Sequence, residues 1–101
     1  MLKVLLVDDE PFIVQGLSAL IDWEKEGFEI VGTAGNGSEA VEFLKSNPVD
    51  LILADIKMPV MNGLEFLKYI RETHLSEAFF VILSGYGAVS YTHLRAHETS
   101  L

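Results

Sequence analysis

The chain has 101 residues, of which half are apolar. That is enough for one small domain with a core, and it excludes wholesale disorder. Fifteen acidic residues stand against seven basic ones, a formal charge of -8, which argues against nucleic-acid binding by this segment, since that needs a basic face. With no cysteine there is neither a disulfide framework nor a thiolate metal site. The opening apolar run stops at Asp8 and is too short for a signal peptide or a membrane span.

In chain order, Lys3 to Val7 reads as a buried strand stopped by the acids Asp8, Asp9 and Glu10. Pro11 suits a first helical position, and Ile13, Leu17, Leu20 and Ile21 follow on one helical face. Gly27 ends that region. Phe28 to Ala34 is a second strand, and Gly35-Asn36-Gly37 a turn. Ser38 is placed to cap a helix with Ala40, Val41 and Leu44 inward, stopped by Asn47-Pro48. Val49 to Ala54 is a third strand ending at Asp55. After a loop, Gly63 opens a helix with Phe66, Leu67 and Ile70 on one face. Phe79 to Leu83 is a fourth strand, followed by Ser84-Gly85. Strands alternating with helices predict an α/β fold, a parallel sheet covered on both faces.

In such sheets functional groups gather beyond the carboxyl ends of the strands. Asp8 and Asp9, Asp55, and Ser84 all follow the ends of predicted strands. Carboxylates gathered there stay ionised together only with a cation among them. With oxygen ligands alone on offer, that ion is Mg²⁺. A carboxylate beside it can attack phosphorus and become an aspartyl phosphate, with the Ser84 hydroxyl bonding a phosphoryl oxygen. Glu10 reads as a solvated first-turn acid rather than a ligand.

Three stretches carry a resemblance: Val7-Asp8-Asp9-Glu10-Pro11, then Asp50 to Gly63 with its Asp-x-x-Met-Pro-x-Met-x-Gly loop, then Ser84-Gly85-Tyr86. Together, in that order and spacing over residues 2 to 87, they resemble a response-regulator receiver domain. The resemblance implies a flavodoxin-like, doubly wound parallel sheet of order 2-1-3-4, with a fifth strand beyond. It implies Asp55 as phosphoacceptor for a sensor histidine kinase. Asp9 would ligate Mg²⁺ directly, Asp8 mostly through water, and Lys57 through its backbone carbonyl. Ser84 would be the switch hydroxyl, while Lys57 and Tyr86 flank the site at variable positions. The stretch Ile21 to Gly32, with Trp23 in it, resembles receivers joined to AraC-type effectors. A parent of that kind is a cytoplasmic transcription regulator, and its receiver can dimerise.

The family's fifth strand carries a lysine, and here the last lysine is Lys68. From about Val89 to Thr99 the chain instead resembles one translated reading frame of a sequencing adapter. The expectation is a receiver over 1–87 without its fifth strand and fifth helix, then a non-native tail over 88–101. That leaves the fourth strand as the sheet's edge. Leu94, Arg95, Ala96 and Glu98 have helical propensity. His93 and His97 have the i, i+4 spacing of a metal pair, which an adapter origin explains without function. The leading expectation is a phosphoacceptor switch that catalyses only its own phosphorylation and dephosphorylation. A pseudo-receiver interaction module is one alternative. A Mg²⁺-dependent aspartyl-nucleophile phosphohydrolase is another, opposed by Lys57 where such enzymes carry a second Asp.

Overall fold

The computed structural model describes residues 1–83 and the strand at 89–92. The element order is β1 (Leu2–Val7), α1 (Pro11–Leu20), β2 (Phe28–Ala34), α2 (Gly37–Ser46), β3 (Leu51–Asp55), α3 (Gly63–Glu72), β4 (Phe79–Leu83) and β5 (Val89–Thr92). The sheet runs β2-β1-β3-β4-β5. Its first four strands are parallel, and β5 lies antiparallel on β4, pairing Leu83 with Val89 and Phe80 with Thr92. The order 2-1-3-4 is therefore as the resemblance implies. The edge of β4 is not open, however: the segment read as a foreign tail supplies a short strand there. Three of its four residues, Val89, Tyr91 and Thr92, are types that strands favour, a signal that the tail reading set aside. The tail residues with helical propensity, Leu94 to Glu98, and His93 and His97 lie outside the described residues.

The sheet's two faces are unequal. Alternate residues of three strands, Leu5 and Val7, Ile52 and Ala54, Phe80 and Ile82, join Ala40, Val41 and Leu44 of α2 and Phe66, Leu67 and Ile70 of α3 in one buried cluster. Phe66 and Phe80 touch at its centre, ring centroids 5.6 Å apart. The right-handed rule for parallel crossovers puts α1, which steps outward from β1 to β2, on the opposite face. There the apolar face of α1 read from Ile13, Leu17, Leu20 and Ile21 is not a buried one. No residue of α1 is buried, and Ile13, Leu20 and Ile21 are exposed. Val4 and Leu6 are fully buried, but Phe79 and Leu2 are not. One ten-residue helix covers only part of a sheet face. Beyond α1, Trp23 is fixed by donating from its indole to the Leu17 carbonyl (3.1 Å) and by an edge contact with Phe28.

The helices behind the main core are well capped. Asn36, not Ser38, caps α2, its side chain accepting from the Glu39 amide at 2.9 Å; Ser38 falls inside the first turn. Asn62 and Glu65 form a reciprocal capping box at the start of α3. None of the described helices is long and apolar enough to cross a membrane.

Candidate functional site

Two adjacent parallel strands, β1 and β3, end side by side, with Val7 paired to Ala54. Asp8 follows the last residue of β1, and Asp55 is the last residue of β3. That register brings three carboxylates together: ligand oxygens of Asp8, Asp9 and Asp55 lie within 4.8 Å of one another. The three acids read from the sequence as one site are thus one site in space. Asp8 is buried, Asp55 half-buried and Asp9 exposed.

Asp8 is held from two sides. Its amide donates to the Ala34 carbonyl (2.9 Å), and its carboxylate accepts from the Glu10 amide (2.9 Å), an Asx turn that carries the chain into α1. Burial pushes its carboxyl above the usual value of 3.8; the Glu10 amide opposes this, and the charges of Asp55 and Asp9 add to it. The ion pairs found among the described residues, Lys45–Glu42 and Lys68–Glu72, belong to α2 and α3. Glu10 stays exposed and outside the cluster.

The donor set fits a hard divalent cation. It offers only oxygens, it is negatively charged, and its most buried member is destabilised as an anion by burial first and by its acidic neighbours second. Lys57 lines the same open depression as Asp9, together with Ile56, Met58, Pro59, Asn62 and Leu64. Ser84 follows Leu83, which pairs with Asp55 across β3 and β4; Ser84 and Tyr86 themselves lie outside the described residues.

The loop after Asp55 has structural parts that a motif reading passes over. Met58 is buried in the core and Met61 packs against it. Between these anchors the chain reverses at Val60, which is exposed and has a φ of 70°. The Met-Pro-x-Met spacing is the sequence signal for this double anchoring.

Parallel strands in the order 2-1-3-4, with three acids gathered at the ends of β1 and β3, are the architecture of a receiver domain. The chain matches the response regulator receiver domain over residues 4–98, and it belongs to that family, the receivers of bacterial two-component systems. The match runs past residue 87, where the tail reading places the domain's end. A similar protein is the uncharacterized transcriptional regulatory protein YesN of Bacillus subtilis, 40% identical over 91 residues that make up 90% of this chain and 24% of YesN. Among solved structures, the REC domain of AraT, a response regulator from Geobacillus stearothermophilus, superposes with a TM-score of 0.76 at 38% identity, covering 84% of this chain and 65% of that one. A two-component transcriptional regulator AraC from Clostridium phytofermentans gives 0.75 at 30% identity, covering 83% and 64%. The chain thus spans about a quarter of YesN and just under two thirds of the solved receiver chains.

Proposed function

We propose that this domain accepts a phosphoryl group on Asp55 from a sensor histidine kinase. The observation that carries the reading is the meeting of Asp8, Asp9 and Asp55 at neighbouring strand ends. A carboxylate oxygen of Asp55 attacks the donor's phosphorus. An O–P bond forms, the bond from phosphorus to the donor's nitrogen or oxygen breaks, and its electron pair leaves with the donor. Water later returns the group as phosphate, so the domain has no separate turnover substrate and is not an enzyme in the usual sense. Asp9, Asp55 and the Lys57 carbonyl are the proposed direct ligands of Mg²⁺, with Asp8 acting through water; the bound ion supplies positive charge that offsets repulsion between the acids and the incoming group. Asp8 also fixes the turn into α1 through its bond to the Glu10 amide. Ser84, one residue beyond the partner of Asp55, is the proposed hydroxyl donor to a phosphoryl oxygen.

The output belongs to a longer parent. The likeness to YesN and to the AraC regulator supports transcription control, with DNA bound by another domain and the receiver face available for dimerisation. Family membership supports a cytoplasmic setting. A division at residue 87 is a separate proposal, resting on the tail's resemblance to adapter sequence. Sequencing the source DNA across codons 87–101 tests it, and a contiguous native gene encoding the same tail ends it.

The functional test is direct. The chain is incubated with Mg²⁺ and a small acyl phosphate and then weighed. A labile phosphoryl adduct that is absent in Asp55→Asn supports the acceptor. Folded protein with no adduct supports an idle receiver, and steady phosphate release from varied monoesters supports a hydrolase.

A further inference from the structure

Gly37 stands at the start of α2 and carries no functional group, yet it grips the loop that follows Asp55. Its amide donates to the Met61 carbonyl at 3.0 Å. A β-carbon built on Gly37 would lie 2.7 Å from Met61 Cγ and 2.9 Å from both its Cβ and its carbonyl oxygen. No real β-carbon comes that close, so the contact exists because residue 37 is glycine. The surface gripping the loop is itself stiff: Asn36 accepts from the Glu39 amide, and Glu39 accepts from the Gly35 amide at 3.1 Å.

The loop held there is under strain. The Met61 amide donates to the Pro59 carbonyl at 2.7 Å, closing a three-residue turn with Val60 at its centre and a φ of 70°. Turns of this hand are rare and strained, the more so at a β-branched residue. Such a conformation persists only where the surroundings over-determine it. Here they are Met58 in the core, the Ile56–Gly63 backbone bond at 3.0 Å that closes the loop's base, and Met61 held by Gly37. The near side of the same loop, Ile56 to Pro59, lines the depression shared with Asp9.

We propose that Gly37 is a positioning residue for the acceptor site: through Met61 and the Val60 turn, it sets from α2 the placement of the loop wall beside Asp9 and Asp55. The inference rests on Asp55 being the acceptor. The structure of the loop also makes α2 responsive to the site, since whatever shifts residues 56–59 pulls on the same bond from its other end.

The experiment compares Gly37→Ala, Val60→Pro and Val60→Gly in the full chain. Each is assayed well below its melting temperature for the Mg²⁺ dissociation constant, from amide shifts, and for the rate of adduct formation with an acyl phosphate. Gly37→Ala displaces Met61, and Val60→Pro forbids the positive φ; each is expected to weaken Mg²⁺ and slow phosphorylation about tenfold, the scale of a sub-ångström misplacement. Val60→Gly keeps the turn and should stay within about twofold of the parent chain, since glycine accepts positive φ freely. Arg71→Ala, a change at the far end of α3, serves as the control for lost stability alone and should leave both constants unchanged. If Gly37→Ala does not fold, the Val60 pair carries the comparison. Unchanged constants in folded Gly37→Ala and Val60→Pro overturn the inference. If the parent chain forms no adduct and binds no Mg²⁺, the acceptor reading fails. The link itself is then decided by amide shifts in Gly37→Ala: changes spreading through residues 56–63 support it, and changes confined to α2 overturn it.

Discussion

The α-carbon of Gly63 lies against the backbone carbonyl of Asp55, so close that a β-carbon would collide with that oxygen and come within 3.1 Å of both the Asp55 carbonyl carbon and Ile56 Cα. The Gly63 amide meanwhile bonds the Ile56 carbonyl at 3.0 Å. The glycine that opens α3 is thus packed on the main chain of the acceptor residue itself.

Gly63→Ala should therefore be among the costlier single changes in the chain. The atoms met are backbone, which cannot swing aside as a side-chain tip can. Overpacking of this kind costs about 1–3 kcal/mol, or on the order of 10 °C in melting temperature for a domain of this size. A thermal melt measures it, and the variant should also phosphorylate more slowly while still folded. A melting temperature within a degree or two of the parent would show that the loop yields.

Asp8→Asn should stabilise the metal-free chain. Burial raises the Asp8 carboxyl above 3.8, so the native state binds that proton more tightly than the unfolded state does. Between the two values the native state holds more protons, and stability falls as pH rises through that window. Above it the whole penalty is present; below 3.8 it is gone. An asparagine keeps an oxygen to accept from the Glu10 amide but carries no charge. In chelator at pH 7 it should melt higher than the parent. The difference should shrink as pH falls toward 3.8. Saturating Mg²⁺ should raise the melting temperature of the parent much more than that of Asp8→Asn. A variant that melts lower in chelator at every pH would contradict this account.

The elements most legible in the sequence were those bounded by chemistry. β2 and β4 were readable at both ends, Phe28–Ala34 and Phe79–Leu83, because short apolar runs met turns or acids there. The acid triad was legible for the same reason: Asp8 and Asp9 follow the end of one strand, Asp55 closes its neighbour, and parallel neighbours end together. What was not legible depended on partners distant in sequence. The stripe Ile13, Leu17, Leu20 and Ile21 is periodic, but periodicity tells which residues share a face and not how much sheet lies opposite. β5 carries strand-favouring types, but its place on β4 rests on main-chain pairing. The strain at Val60 follows from Met58 and Met61 both turning toward the core, which a motif does not state. Asn36 outcompeted Ser38 as a cap because the Gly35–Gly37 turn delivers its side chain to the Glu39 amide.

Asn62→Ala tests how far the start of α3 depends on its cap. The Asn62 side chain accepts from the Glu65 amide at 2.8 Å, and Glu65 accepts from the Asn62 amide at 3.1 Å. Alanine removes the first of these bonds and leaves the second, donated by a backbone amide, in place; the loss should cost about 1 kcal/mol. Because Asn62 also lines the depression beside Asp9, hydrogen exchange at the first turn of α3 should rise together with exchange in the 56–63 loop. Faster exchange confined to the helix would mean that the loop is held from its other end alone.

Arg71 is a buried charge with a structural task. It is 5% exposed, and its guanidinium donates to the carbonyls of Ser76 and Ala78, each at 2.6 Å. Burial pushes the guanidinium below its usual value, and Glu77 partly offsets that. The two carbonyls lie in the turn that leaves α3 through His74, at a φ of 57°, and delivers Phe79 to the start of β4. Arg71→Ala removes both charged donors and leaves those carbonyls to find water, at a cost of about 3 kcal/mol. Arg71→Lys should recover only part of it, because an ammonium lacks the planar fork that meets two oxygens at once. Urea unfolding should show the midpoint falling in the order parent, Lys, Ala, with an unchanged slope. A loss below about 0.5 kcal/mol for Ala, the range of an ordinary surface change, would mean that the turn into β4 is held by its backbone bonds, such as Phe79 to Asp50 at 3.0 Å, without the clamp.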